Sequence, residues 1–304
     1  MRSALKHIVE RVMVVSGLAA VARRRRRGGA LILAYHDIVP HGEHVAGDRS
    51  LHLTQASFAR QLDALLATHE VVPLTAILAG PARSPAQRAR VAITFDDAYL
   101  GAMTAGVAEL RARGLPATVF VAPGLLGQVT WWDLLGGAEG DLGLGQREHA
   151  LRALGGDGDR VRAWAASTGI GTSETGLPRI ATHEQLAQAL RYERLVPGAH
   201  TWSHPNLCTV AGATLERELR SAHEWLRERF VSTIPVLAYP YGLHSPAVMD
   251  ATGSAGFAHA LRVDGGWMSH DAAPQAHAIP RFNVPAGLSD DGFALRLAGI
   301  GAGR

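Results

Sequence analysis

The stretch Val91-Ala-Ile-Thr-Phe-Asp-Asp97 decides how the chain folds. Its five apolar or β-branched residues fit a strand covered on both faces, as in a parallel sheet packed between helices. The strand then runs straight into two adjacent carboxylates. In α/β sheets, open or closed, chemistry collects where such strands end. Successive strand residues point to opposite sides, so Asp96 and Asp97 can serve different partners only where the strand opens into a loop. Two acids there are costly unless something neutralises them, and a metal ion is the usual partner. A surface turn also tolerates Asp, so the pair alone leaves both readings open.

Outward from this strand the pattern is regular. Ala30-Leu-Ile-Leu-Ala-Tyr35 is a similar buried run that ends at His36-Asp37. Residues 54–69 predict an amphipathic helix with Phe58, Leu62, Leu65 and Leu66 on one face. Residues 100–113 predict a helix closed by Gly114, and residues 117–121 the next strand. Strand, helix and strand in that order imply parallel pairing and a right-handed crossover. Residues 124–181 break the rhythm with Gly-rich pieces around Trp131-Trp132-Asp133 and a helical stretch over 147–168. With no strand set of their own, they read as an insertion.

The rhythm resumes at Thr182-His-Glu-Gln185, a capping box that opens a helix. A short strand into His200 follows, then a helix over 214–230 and a strand Val236-Leu-Ala-Tyr239. Two further short strands are expected near 257–261 and 278–282. About seven parallel strands alternating with helices predict an α/β fold, a distorted (β/α) barrel with a helical insertion.

At 304 residues, 47% hydrophobic and 19% charged, the chain suits one barrel-sized domain, expected over 30–304. The net charge is +3, but the run Arg23 to Arg27 contributes five, leaving 3 − 5 = −2 for the rest. No nucleic-acid-binding face is expected. The single Cys208 excludes an intramolecular disulfide and a cysteine-rich metal site, and predicts a small buried residue.

Residues 1–29 stand apart. Leu5, Ile8, Val9, Val12, Val15 and Leu18 recur at close to helical spacing, and the Arg cluster follows the apolar run instead of preceding it as in a secretory signal. The uninterrupted apolar run over 12–22 is shorter than a spanning helix. The segment is expected either to lie on an anionic membrane surface or to pack on the domain beside a solvated basic linker. Either way a cytoplasmic or membrane-peripheral location is favoured.

Three strand ends carry polar clusters: His36-Asp37, Asp96-Asp97 and His200-Thr-Trp-Ser-His204. A fourth strand ends at Tyr239-Pro-Tyr-Gly242. The i, i+4 spacing of His200 and His204 puts two imidazoles on one side of a turn, without the Glu of a metalloprotease helix. One carboxylate from a neighbouring strand end would complete a three-ligand site with an open position for water.

Taken together and in this order, Thr94-Phe-Asp-Asp97, His200-Thr-Trp-Ser-His204 and Tyr239-Pro-Tyr-Gly242 resemble the polysaccharide deacetylase family, carbohydrate esterase family 4, with its NodB-homology domain. The resemblance covers roughly residues 30–285. Ala34-Tyr-His-Asp-Ile38 and Trp131-Trp-Asp133 are similar to a branch acting on exopolysaccharides and related glycans.

The resemblance implies that Asp97, His200 and His204 bind a divalent ion, most often zinc (Zn2+), with Asp96 as the general base for the attacking water. It implies that the backbone N–H of Tyr241 helps hold the oxyanion. Many relatives carry an Arg where this chain has Ala238, and Arg281 is expected to supply that charge, the alternative being a surface ion pair. The general acid is expected to be His36, with His270 of Met268-Ser-His270 as the alternative. Asp37 either orients His36 or begins a turn, while Trp132, Trp202 and Trp267 either stack on sugars or pack in the core.

The substrate is then expected to be an amino-sugar polysaccharide or its precursor, losing N-acetyl groups. The alternatives are a deacylase of peptidoglycan, an O-acetyl ester or a non-sugar amide, and a silent glycan-binding scaffold.

Overall fold

Eleven strands occur among the described residues: β1 (Ala30–Tyr35), β2 (Asp37–Val39), β3 (His52–Thr54), β4 (Glu70–Val71), β5 (Arg90–Phe95), β6 (Ala117–Val121), β7 (Leu195–Ala199), β8 (Val236–Ala238), β9 (His259–Arg262), β10 (Ile279–Pro280) and β11 (Phe282–Asn283). The computed structural model describes residues 2–80, 87–138, 140, 142–170, 173–269 and 274–301. Eight strands run in the order β10-β9-β8-β7-β6-β5-β1-β11, every pair parallel. Only Arg281 separates β10 from β11. The segment 279–283 therefore pairs first with β9 and then with β1, and the ring becomes a nearly closed barrel. The expected seven strands become eight because this last one changes neighbour partway. The short β2–β3 pair and β4, which joins β5, were not expected.

The period of two decides what each side chain meets. Leu31, Leu33, Tyr35, Val91, Ile93 and Phe95 face the surrounding helices in the main core. Ala30, Ile32, Ala92, Phe120, Val236, Ala238 and Leu261 share a second apolar cluster, built on the other strand face, which fills the barrel. In that register Asp96 follows Ala92 and Thr94 toward the barrel interior. Gly198 is required where the interior is tightest: a Cβ there would lie 2.7 Å from the Phe120 ring.

The helices follow from their caps and faces. Thr54 caps Gln55–Thr68, which buries Phe58, Leu62 and Leu65 but leaves Leu66 exposed. The Thr182 capping box opens His183–Ala189 as expected. The helix after β5 carries a π-turn at Ala102–Gly106 before Val107–Arg113, with Gly114 closing it in the left-handed region. Between β6 and His183–Ala189, the helices Trp131–Gly136, Leu144–Arg152 and Gly158–Ser167 are built on their own cluster around Trp131, Trp132, Ala150 and Val161. Cys208 departs from expectation: it is exposed on the turn Leu207–Thr209, because Leu207 takes the buried side of that turn. Among the described residues no helix is long and apolar enough to cross a membrane.

Candidate active site

At the carboxyl end of β5 the two aspartates diverge. Asp96 keeps the strand's direction, whereas Asp97 turns into the left-handed region with φ 66°. Five non-glycine residues among those described have positive φ: Asp97, Ala98, Thr201, His204 and Tyr241. All belong to the turns that follow β5, β7 and β8. Backbone strain of this kind costs roughly 1–3 kcal/mol per residue and persists only where surrounding contacts enforce it.

Asp97, His200 and His204 come together. His200 Nε2 lies 3.1 Å from His204 Nε2, and Asp97 Oδ1 lies 3.5 and 3.3 Å from the two nitrogens. The three form the one group of possible metal ligands found among the described residues. His200 Nδ1 donates to the Ala238 carbonyl at 2.8 Å, which leaves the Nε2 lone pair facing inward. Asp97 Oδ1 is buried without a hydrogen-bond partner.

Burial, with His200 adding to it, holds His204 well below the usual histidine range, and burial also lowers His200. Burial and then the Asp96 charge push the Asp97 carboxyl well above its ordinary value. Two neutral imidazoles and a carboxylate aiming lone pairs at one point repel each other, and no cationic side chain pairs with Asp97 among the described residues. This donor set fits a divalent cation.

Asp96 has a partner within the chain. Arg281 Nη1 and Nη2 donate to Asp96 Oδ1 and Oδ2 at 2.6 and 2.8 Å. Nη1 also reaches Thr94 Oγ1 at 3.1 Å, and the guanidinium lies 5.3 Å over the Phe120 ring. Arg281 has no exposed surface, so the surface-pair alternative does not describe it. Ala238, where many relatives carry Arg, is a small buried residue of the interior cluster that contains Phe120. Burial raises the Asp96 carboxyl, but the Arg281 charge, the His200 charge, the Arg281 hydrogen bonds and the His36 charge together outweigh it and hold the group well below the usual carboxylate range.

His36 and Tyr241 line the same cavity of about 280 Å³, with Trp132, Arg147 and Asn283. Burial takes His36 down to about 4, although the Asp96 charge opposes the shift. The Tyr241 N–H precedes the first bonded N–H of a short turn, Gly242 to the Tyr239 carbonyl. It therefore has no acceptor within the turn. The Tyr241 hydroxyl accepts from Trp131 Nε1 at 3.0 Å and donates to the His204 carbonyl at 3.2 Å. Trp132 packs on the His204 ring, with centroids 4.9 Å apart. A larger cavity, about 480 Å³, opens beside Asp37 and His52 and contains none of Asp97, His200 and His204.

Several residues here had no role assigned from sequence. His52 lies between two carboxylates, Nδ1 at 3.0 Å from Asp37 Oδ2 and Nε2 at 2.8 Å from Asp133 Oδ1. Burial pulls His52 down, but the bonds to Asp133 and Asp37 outweigh it and push the imidazole up to about 10. Asp37 therefore holds His52, and its expected bond to His36 is absent among the described residues. Asp133 also accepts from Tyr99 Oη, which in turn accepts from Trp132 Nε1 at 2.7 Å. Glu218 bonds the N–H groups of Trp202 and Ser203 at 3.0 and 2.9 Å and so fixes the turn that carries His204. Its position between Leu215 and Leu219 on a buried helix face was the available signal. Trp267 packs on His69 and Arg26, away from the cavity. His270 lies outside the described residues.

Among solved structures the chain is similar to the Streptococcus pyogenes deacetylase PplD in complex with acetate, at 15% identity and a TM-score of 0.61, covering 88% of this chain and 98% of that one. It is similar to IcaB from Ammonifex degensii at 18% identity and a TM-score of 0.60, covering 91% and 98%. It is also similar to BC0361, a polysaccharide deacetylase from Bacillus cereus, at 14% identity and a TM-score of 0.61, covering 88% and 69%. These likenesses establish a shared fold. No curated protein sequence matches the chain. A family model described as polysaccharide deacetylase matches residues 83–260, more than half of the 304 residues. The chain belongs to the polysaccharide deacetylase family.

Proposed function

We propose that this protein is a metal-dependent hydrolase that removes N-acetyl groups from an amino-sugar polysaccharide or its precursor. One observation carries the reading: three buried donors converge on a point that no cation among the described residues fills, beside a carboxylate that Arg281 keeps ionised. Asp97, His200 and His204 would hold a divalent ion, for which zinc suits the nitrogen-rich donor set. When bound, such an ion polarises the acyl carbonyl and lowers the pKa of water toward about 7.

The chain's own groups then divide the work. Asp96 takes a proton from the attacking water, and Arg281 fixes the direction of its oxygens. The Tyr241 N–H donates to the developing oxyanion. His36 is neutral in the resting cavity. As negative charge develops nearby its proton affinity rises, so it takes up a proton from solvent, Asp96 returning its own there, and gives that proton to the leaving amine. Trp132, on the cavity wall beside His204, offers a face for the sugar ring.

PplD, similar in fold, was solved in complex with acetate, the product this reaction would release. The helices over 124–181 would form an insertion that supplies the Trp132 wall to a domain spanning 30–304. The N-terminal basic segment takes no part in this chemistry, and its proposed contact with an anionic membrane rests on separate observations.

Metal analysis combined with acetate release from N-acetylglucosamine oligomers tests the reading. Stoichiometric metal and release that stops with a chelator support it. Metal without release from any acylated substrate assigns the protein to glycan binding, and release only from esters or non-sugar amides changes the substrate class.

A further inference from the structure

Two features near the N-terminus lie outside the site. The first is an apolar row on the helices Arg2–Val15 and Leu18–Arg24. Leu5, Ile8, Val9 and Val12 recur at i, i+3, i+4 and i+7, and Leu18 and Val21 follow on the second helix. These six side chains are 49 to 64% exposed. The other side of the helices is already docked. Ala19 is buried against Leu295 and Ala298 with Met13 and Val14 beside it, and Glu10 accepts from Ser289 Oγ at 2.7 Å. Scattered exposed apolar residues are ordinary on a soluble protein, whereas a continuous row marks an interaction surface.

The second feature is an open cavity of about 270 Å³ lined by Arg23, Arg24, Arg27 and Arg88, with Thr68 and His69. None of these four guanidinium groups has a hydrogen bond or ion pair among the described residues. Elsewhere Arg60, Arg113, Arg162, Arg220 and Arg281 are each paired with a carboxylate. Neither 16–30 nor 79–90 contains Asp or Glu, and Glu70, which adjoins His69, forms no ion pair with these arginines among the described residues. The uncompensated field registers at His69: burial, then Arg23 and Arg88, take it down to about 4.

We propose that the arginine cavity and the apolar row together dock the protein on an anionic membrane, the arginines taking a lipid phosphate and the row entering the headgroup boundary. The two parts adjoin, because Val21 and Arg24 are three residues apart on one helix and so are surface neighbours. Apolar burial and cationic attraction to anionic lipid act together in such a contact. The contact is peripheral, since no described helix can span a bilayer. Arg27 and Arg88 precede β1 and β5, so the cavity lies at the opposite ends of those strands from His36 and Asp96. Lipid and substrate therefore do not compete for the same groups.

Flotation of the full chain with phosphatidylglycerol vesicles, against phosphatidylcholine vesicles, tests the proposal. Binding to the anionic vesicles alone is expected. The triple variant Arg23→Gln, Arg24→Gln, Arg27→Gln should lower partitioning by roughly 100-fold, at about fivefold per arginine. Ile8→Asp with Val12→Asp should also abolish binding, and both variants should keep the parent melting temperature because the changes are at the surface. A chain that ignores phosphatidylglycerol vesicles overturns the proposal. Inorganic phosphate binding that the triple variant loses, without vesicle binding, would reassign the cavity to a soluble anion. A dimer dissociated by Ile8→Asp with Val12→Asp would reassign the row to a second copy of the chain.

Discussion

Two clusters of buried charge lie side by side in this barrel, and they solve the same electrostatic problem differently. Around His52 opposite charges are paired within the protein: one imidazolium, pushed up to about 10, sits between Asp37 and Asp133, with Asp37 Oδ1 left over. Around Asp97 they are not, because two imidazoles and a carboxylate point their lone pairs at one another. A buried carboxylate with a cation beside it is held in place, and one without a cation costs free energy until something binds. The first network holds the Trp132 wall and the second awaits a ligand. Asp96 with Arg281 is a third case, neutralised within the chain yet facing the cavity.

The contrast can be broken experimentally, and the largest effect is expected at the open cluster. Asp97→Asn should lose bound metal and lower kcat/KM by well over the roughly 10–100-fold expected for an outer-sphere partner. It should leave the metal-free melting temperature unchanged or higher, because it removes a buried carboxylate that no cation among the described residues partners. A fall in metal-free stability would mean that Asp97 is satisfied within the chain.

Asp96→Asn and His36→Ala should each retain metal and lower kcat by about 10²–10⁴. Near-normal turnover in His36→Ala would remove the imidazole from the reaction. Arg281→Ala should lower kcat and also cost about 3–5 kcal/mol in urea unfolding, because it strands Asp96 without its counter-charge. Full turnover with an unchanged pH profile would leave Arg281 a purely structural residue.

At the closed cluster the effect moves to stability. His52→Ala leaves two buried carboxylates facing each other and should cost about 3–5 kcal/mol, with metal content retained. The pH dependence sharpens this. His52 rises from 6.5 to about 10 on folding. Its stabilisation is therefore complete below about 6.5 and is lost as pH rises through about 10. The melting-temperature gap between parent and His52→Gln should narrow over that window, and a gap constant to pH 10 would show that the clamp is not charged.

The smallest effect is expected where the clusters meet. Trp132→Phe removes the N–H donated to Tyr99 and should cost about 1 kcal/mol, with a modest rise in KM measured on oligomers.

Periodicity carried most of the fold. The continuous apolar runs of β1 and β5, the capping box at Thr182 and the strand–helix–strand order with parallel pairing are local patterns, and each appears in the barrel. The three donors were legible because they fall at strand ends with characteristic spacing, and parallel strands bring such ends to one pole. The expected burial of Cys208 failed because a short turn chooses which residue faces inward, and Leu207 took that place.

What sequence alone determined, then, was the succession of core strands and helices along the chain and the identity of groups able to do chemistry at one end of the strands. Tertiary structure decided which of them meet. Arg281 reaches Asp96 across 185 residues because strand 279–283 closes the ring beside β1, and no local pattern encodes that contact. It also decided protonation: Asp96 and Asp97 are adjacent and chemically identical in the sequence. One carboxyl falls well below its ordinary value and the other rises well above it, because only one is given a guanidinium.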